Sequence, residues 1–580
     1  MSQDNRSSFD VFEHGFLDPE APLIRIGEGE LGGKAHGLVH IREVLNTDLN
    51  MEQFPGITLD IPPLAVIGTG VFDAFIKENN LHEVVYRDHI SDEDLTRAFL
   101  ESPLPAEVLT DLRALVEQVH TPLAVRSSSL LEDARYEPFA GVYATKMIPN
   151  KGKDTNLRLR QLVEAIKFVY ASTFFRHARN YRRATGHTEE EESMAVVIQK
   201  LVGKHHGERF YPEISGVARS YNYYPVGRAK PEEGVVYLAL GLGKTIVDGE
   251  PCWMYSPAHP KVEPPFGSVE KLLKETQTDF WVLNMGEPLQ RAPTSETEYL
   301  LRENLTVAEQ DGVLRYLAST YSPLSGRLSI GTGFPGPRAL TFAPILVLEE
   351  IPLNRLLVEL LEICQHALGA PVEIEFAMTL NPHRFALLQV RSMLAPTGET
   401  RLEVEDLRGE HVLVATENAM GNGTLETIRD VVYVRPENFE LRYSARIAPE
   451  LERINERLVA EGRPYLLIVL GRLGTSDPWL GIPVRWAQIS GACAVVEATG
   501  SNVRVELSRG SHFFHNIVSL GVKYLMLSSS SRYTVDWEWL DRQEGEEETE
   551  FVRHVRLPNP LQIRVDGYSG RGVIYKPADL

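Results

Sequence analysis

VEIEFAMTLNPHRFALLQVRS, residues 372–392, decides how the longer, N-terminal part of this 580-residue chain folds. Two runs rich in β-branched and aromatic residues, VEIEFAMTL and RFALLQV, flank the short polar turn NPH, the pattern of an antiparallel hairpin. Side chains two apart on a strand share a face. Glu373 and Glu375 therefore project together from the first strand, and Gln389 and Arg391 from the second. Across the hairpin this sets carboxylates beside an amide and a guanidinium, a seat for a divalent cation and for a phosphate in transfer. A cross-strand Glu–Arg ion pair on a solvent face satisfies the same spacing.

Upstream, residues 123–148 read as strand, polar loop, strand. Within them VRSSSLLED (125–133) puts Arg126 at a strand end, before three hydroxyls and then Glu132 and Asp133. A guanidinium there can fork two phosphate oxygens, and Phe139-Ala140-Gly141 allows a mobile lid. The alternative is an Arg–Asp pair that ties down a surface loop. Gly32-Gly33-Lys34-Ala35 offers paired glycines that let backbone approach a phosphate, and Lys34 supplies a point charge, although so short a motif also occurs in ordinary turns. MAVVIQKLV and GVVYLALGLG read as strands, and VFDAFIKENNL, 92–119 and 157–184 as helices.

The chain is too long for one core, so two or three domains are expected. Its 43% hydrophobic and 24% charged residues are those of a globular protein. With 59 basic and 80 acidic residues the formal charge is −21, which repels a phosphate backbone, so nucleic acid is not an expected partner. Cations that serve a nucleotide must then be concentrated in one cleft. Cys252, Cys364 and Cys493, odd in number and far apart, fit neither a disulfide framework nor a zinc cluster, which points to a reducing cytoplasm. No basic segment leads into an apolar run at the start, and no stretch reaches the ~20 apolar residues that span a bilayer, so a soluble, unprocessed chain without a membrane partner is expected. Nothing in the sequence sets an oligomeric state.

In order along the chain, GGKAHGL, VRSSSLLED with FAG, SGVARS, GLGKTIVDGE, and EIEF with LLQVRS resemble the successive signatures of the nucleotide-binding domain of pyruvate phosphate dikinase and phosphoenolpyruvate synthase. The resemblance implies an ATP-grasp fold, with adenine between two β-containing subdomains and the triphosphate reaching Mg2+. On that pattern Lys34 and Arg126 bind phosphates, Gln199 and Lys200 lie on the strand that lines the adenine site, Glu375 and Gln389 hold magnesium, and Arg391 steadies the transferred group. The chain departs from the pattern at Lys244, where the family commonly has an acidic residue after GLG, and at Ser392, where it has Pro. SGVARS also lacks the usual FT ending. Such changes bear on catalytic rate more than on ATP binding, since Lys244 alters the charge near the nucleotide.

The expected organisation is an ATP-grasp domain over 1–395, a linker over 396–410 where periodicity gives way to Pro, Gly and charge, and a smaller α/β domain over 411–580. The about 170 residues of the last region are too few for a TIM barrel of ~250 beside a swivelling domain, so pyruvate is not the expected acceptor. SRGSHFFHNIVSLGVKYLML (508–527) resembles a diverged form of the family's phosphohistidine segment. Ser511 suits a helix N-cap and Gly521 a helix end, which puts His512 in a first turn that favours a phosphoryl group. A neutral histidine is a competent nucleophile. His512 and His515, flanking Phe513 and Phe514, also suit a packed core, while a metal pair lacks a third ligand. GRLGTSDPWLGIPVRWAQIS (471–490), with Arg472 and Asp477, reads equally as a functional loop or a rigid turn. DRQEGEEETE (541–550) reads as an exposed loop.

The function expected is an ATP-dependent phosphotransferase that delivers phosphate to His512 or directly to a small-molecule or protein acceptor. A ligase acting through an acyl phosphate and a nucleotide-binding regulator without turnover are the alternatives.

Overall fold

The computed structural model describes residues 23–577, apart from 88–89, 130–141, 177, 180–181, 183–191, 223–228, 263–268, 270–271, 274–275, 288–290, 394–399, 475–480, 485, 500–521, 529–530 and 568. It is a mixed α/β structure, and two sheets form the frame of its N-terminal part. The first runs in the order Leu23–Ile26, Leu64–Ile67, Met194–Lys200, Leu123–Ser129, Thr145–Ile148, with only the first pair parallel. The second runs Trp253–Tyr255, Val235–Ala239, Ile214–Arg219, Val372–Leu380, His383–Ser392, Ile57–Asp60, with only the last pair parallel. The expected hairpin is present at its centre, pairing Glu373 with Arg391 and Glu375 with Gln389 before a bulge.

Alternation sorts the two faces of the first sheet. Val125, Val196 and Ile198 pack with Phe72, Phe75, Phe99 and Tyr170, which come from the helices Thr69–Glu78, Asp92–Glu101 and Thr155–Ser172. Ala195 and Val197, on the opposite face, join the core of the second sheet, where the helices Gly33–Asp48 and Leu353–Leu368 also lie. The helical stretch expected over 92–119 is two helices, Asp92–Glu101 and Ala106–Gln118. Pro103 and Pro105 interrupt it, because proline lacks the N–H a continuing helix needs. Ser91 caps the first by accepting the Asp94 N–H at 3.0 Å, and acidic residues fill its first turn.

Among the described residues every sheet is drawn from one side or the other of 393–411. The larger C-terminal sheet is ordered Ala419–Met420, Lys523–Leu527, Ala492–Ala498, Tyr465–Leu470, Asp430–Val434, Val552–Arg556, Gly545–Glu548. Its four central strands are parallel, and the helix Ser444–Ala460 joins two of them. Beside it lies a four-stranded antiparallel sheet that includes Val412–Thr416 and Arg571–Tyr575.

Two expectations need correction here. The acidic stretch 541–550 is not a loop: Gly545–Glu548 is an edge strand whose glutamates meet Arg463, Arg457, Arg453 and Arg435. The second half of the expected linker is also anchored, because Leu402 and Leu407 are buried against Ala415 and Val573, and Arg571 donates to the Leu402 carbonyl at 2.8 Å. No helix among the described residues is long and apolar enough to cross a membrane.

Candidate nucleotide-binding site

Arg126 joins the two sheets. One of its terminal nitrogens, Nη2, donates to Glu375 Oε2 at 2.8 Å and to Gln389 Oε1 at 2.9 Å, so residues some 250 apart in sequence meet at one point. The strand Leu123–Ser129 supplies the guanidinium and the hairpin supplies both oxygens. Arg126 takes part in this cross-sheet contact; the Arg–Asp pair considered for it falls on Asp133, which with Glu132 and residues 139–141 lies outside the described residues.

The next residue along ties Lys34 to the same place. Lys34 is buried and donates through Nζ to the Ser127 carbonyl at 2.9 Å and to Ser127 Oγ at 3.3 Å. Gly32 sits at φ +75°, and a Cβ there would stand 1.7 Å from the Ser128 carbonyl oxygen. The glycine is thus required by close backbone approach as well as by its dihedral. Gly37, one turn beyond Lys34, lets the helix lie on the hairpin, since a Cβ would come 2.8 Å from the Val390 carbonyl oxygen.

At the far end of the hairpin Glu373 is held from both sides. Three neighbouring strands align Arg219, Glu373 and Arg391 in one row. Arg219 Nε donates to Glu373 Oε2 at 2.6 Å, and Arg391 Nε to Oε1 at 2.9 Å, with Arg391 Nη2 on the same oxygen. Relative exposures of 5%, 2% and 6% rule out the solvent-facing ion pair considered from the sequence. Arg219 also lies 5.6 Å from the centre of the Tyr237 ring, a cation–π distance. Arg219 was not singled out from the sequence, because its place depends on which strand lies beside the hairpin.

The other end is apolar. Val202, Ala377 and Ala386 form a small buried cluster of their own with Leu388 packed against it, separate from the two main cores. Gln199 is buried, and its Nε2 has no hydrogen-bond partner among the described residues. Val197 lies opposite Arg126, so Gln199, two residues on, shares that face, whereas Lys200 projects to the other. A buried amide and an apolar cluster are the two features that a planar, hydrogen-bonding base uses. Along Val372–Leu380, Ala377, Glu375 and Glu373 then succeed one another on one face, from apolar cluster to cation-held carboxylate.

Lys244 occupies the charge-altered position. It lies 3.2 Å from Asp248, 4.0 Å from Glu296, and 5.9 Å from the centre of the Trp281 ring. Burial works to lower its pKa, but Glu296 and Asp248 outweigh this and hold the ammonium charged. Glu296 also accepts the N–H of Thr145, the cross-strand neighbour of Arg126, at 3.3 Å. A carboxylate thus stands beside the lysine, from a segment with no periodic signal to mark it.

Of the C-terminal candidates, His512, His515 and Asp477 lie outside the described residues, and Arg472 forms part of a two-stranded pairing with Gly481–Ile482. Asp430, Glu546 and His554 bring possible ligand atoms within 4.8 Å of one another. Arg463 bonds both carboxylates and Arg457 meets His554 Nδ1 at 3.0 Å, so the cluster is an ion-pair network already supplied with cations.

Glu375 and Gln389 present hard oxygen donors of the kind magnesium takes, few enough to leave positions for phosphate oxygens and water, so this donor set fits the ion. The family model for the pyruvate phosphate dikinase AMP/ATP-binding domain matches residues 28–407, which include every side chain placed in the cleft. The chain is 29% identical over 216 residues to a probable phosphoenolpyruvate synthase of Methanocaldococcus jannaschii, covering 33% of this chain and 16% of that one. It is 27% identical over 230 residues to phosphoenolpyruvate synthase of Aeropyrum pernix, covering 38% and 26%. With rifampicin phosphotransferase of Bacillus cereus the identity is 25% over 192 residues, covering 32% and 20%. The matches thus span about a quarter or less of these relatives' length. With an ATP-grasp frame and with Arg126, Glu375 and Gln389 meeting between its sheets, the chain belongs to the pyruvate phosphate dikinase AMP/ATP-binding domain family.

Proposed function

We propose that the protein is an ATP-dependent phosphotransferase that binds magnesium-ATP between the two N-terminal sheets and passes phosphate first to His512. The observation that carries this reading is the meeting of Arg126 with Glu375 and Gln389, with Lys34 one residue away and the Arg219–Glu373–Arg391 row beyond. Adenine packs against the apolar cluster of Val202, Ala377, Ala386 and Leu388, with the Gln199 amide on its edge. Lys34 and Arg126 bind the phosphates, and Arg391 stabilises the charge that develops on the transferred group. Glu375 and Gln389 would hold magnesium, which would supply charge neutralisation at the phosphate oxygens. The final acceptor is a small molecule, in keeping with relatives named as phosphoenolpyruvate synthase and rifampicin phosphotransferase.

The tether between Met393 and the anchored Leu402 spans at most about 30 Å when extended, which limits any swing of the C-terminal region.

Incubation with ATP labelled at the β- or the γ-position tests the proposal. An acid-labile, base-stable phosphoprotein is expected, absent in His512→Ala, and the position of the label identifies the phosphate transferred. Acceptor-dependent ADP release without a phosphoprotein would favour a ligase, and tight binding with no turnover a regulator.

A further inference from the structure

We propose that Arg126 holds the place of the divalent cation, so that metal enters the cleft only with a nucleotide that draws the guanidinium away. The inference rests on the nucleotide-binding reading above and adds an order of events to it. Glu375 Oε2 and Gln389 Oε1 come from paired positions on adjacent strands and converge on one cationic nitrogen, at 2.8 Å and 2.9 Å. Those are the two protein oxygens with which the hairpin would hold a metal. Magnesium needs its oxygens at about 2.0–2.1 Å in an octahedron, which the pair cannot supply while the guanidinium stands between them. A divalent cation brought to the same oxygens would also face the positive charge of the guanidinium.

The arrangement contains its own release. Arg126 belongs to one sheet and its two acceptors to the other, so the contact spans the cleft that a nucleotide must enter. Lys34 is anchored on Ser127, the residue after Arg126, which ties a second cation to the same strand. A phosphate entering between the sheets offers the fork of Arg126 a bidentate partner of higher charge than one carboxylate. When the fork turns to phosphate, both oxygens are freed at the moment the metal that accompanies the phosphate needs them. One positive charge leaves the pair and two arrive. Outside this exchange the oxygens are never left without a cation.

Manganese, followed by the electron paramagnetic resonance signal of the free aqueous ion and titrated into the full-length chain without nucleotide, tests the proposal. Wild type is expected to bind it weakly. Arg126→Met, which keeps the length of the side chain but not its charge, is expected to bind at least tenfold more tightly. Arg126→Gln should give the same gain and serves if the methionine variant does not fold. The double variant Arg126→Met/Glu375→Gln should lose the gain. Manganese affinity in the Arg126 variants no tighter than wild type, or a gain that survives Glu375→Gln, overturns the placeholder role. Equilibrium dialysis of wild type with magnesium-ATP separates the two proposals. If ATP does not bind, the functional reading fails, and the nucleotide-free manganese arms still decide whether Arg126 guards those oxygens.

Discussion

Glu373 has a guanidinium on each carboxylate oxygen, and this symmetry decides what single substitutions do. Removing one arginine leaves a buried carboxylate still opposed by the other, so the penalty falls below the ~3–5 kcal/mol of a fully broken buried pair, at about 1–3 kcal/mol. Arg391→Ala should therefore leave the fold intact while lowering any ATP turnover by about a hundredfold or more, the scale of losing one donor to a developing charge. Unchanged turnover in that variant contradicts its assignment. Arg219→Met/Arg391→Ala leaves Glu373 without either guanidinium. Its loss of stability in urea should exceed the sum of the two singles, because residues that share one partner do not act independently. Strict additivity would show that the carboxylate draws its support elsewhere.

The turn into the helix Gly33–Asp48 is where local geometry and the cleft are most tightly coupled. Gly32 has φ +75° and ψ 170°, a region close to glycine-only, and its backbone lies against Ser128, next to the residue that holds Lys34. Gly32→Ala should cost about 2 kcal/mol or more and weaken nucleotide binding with it. Gly333→Ala, at a position with no atom within 4 Å of the added Cβ, should stay within about 0.5 kcal/mol of wild type. If the two variants melt alike, the close approach at Gly32 is not a constraint.

The edge strand Gly545–Glu548 carries a different expectation. Arg463, aided by Arg457, holds the Glu546 carboxyl down at about 2, well below its ordinary range. For Asp430, burial opposes ionisation but is outweighed by hydrogen bonds from His554 and Arg463, so its pKa is lowered too. Both carboxyls bind protons more weakly in the folded state, so their contribution is complete above the ordinary range near 4.5 and is lost as pH falls toward 2. Arg463→Met should narrow the difference between urea midpoints at pH 7 and pH 3. An equal difference in both proteins would remove this network as a source of acid sensitivity.

These elements also show where sequence is informative. The hairpin is legible because period-two alternation and a short polar turn are local signals, and they bring Glu375 and Gln389 together by strand pairing alone. Arg126 and Lys34 are legible as residue types that phosphates need, but their mutual placement is not, since it depends on how two sheets meet. Arg219 is 154 residues from Glu373 and gains its role only from strand order. The stretch DRQEGEEETE misleads because charge runs usually mark solvated loops; here arginines, three of them from the helix Ser444–Ala460 and the turn after it, supply the partners that let it pair as a strand.

Across the whole molecule, a formal charge of −21 surrounds a cleft with the opposite balance, in which Lys34, Arg126, Arg219 and Arg391 face Glu373 and Glu375. An approaching triphosphate meets the two fields at different ranges. At about 10 mM salt the screening length is ~30 Å and much of the acidic surface repels the ligand, whereas at 150 mM it is ~8 Å and only nearby charge is felt. Contacts inside the cleft are short and partly buried, so salt weakens them far less. Raising ionic strength between these limits should therefore speed association of a fluorescent ATP analogue by about two- to fivefold, while dissociation changes by less than about twofold. Stopped-flow traces at the two salt concentrations give both rates. If association slows with salt instead, the cationic cleft projects its field beyond the acidic surface and steers the nucleotide in, and the surrounding charge has no part in the encounter.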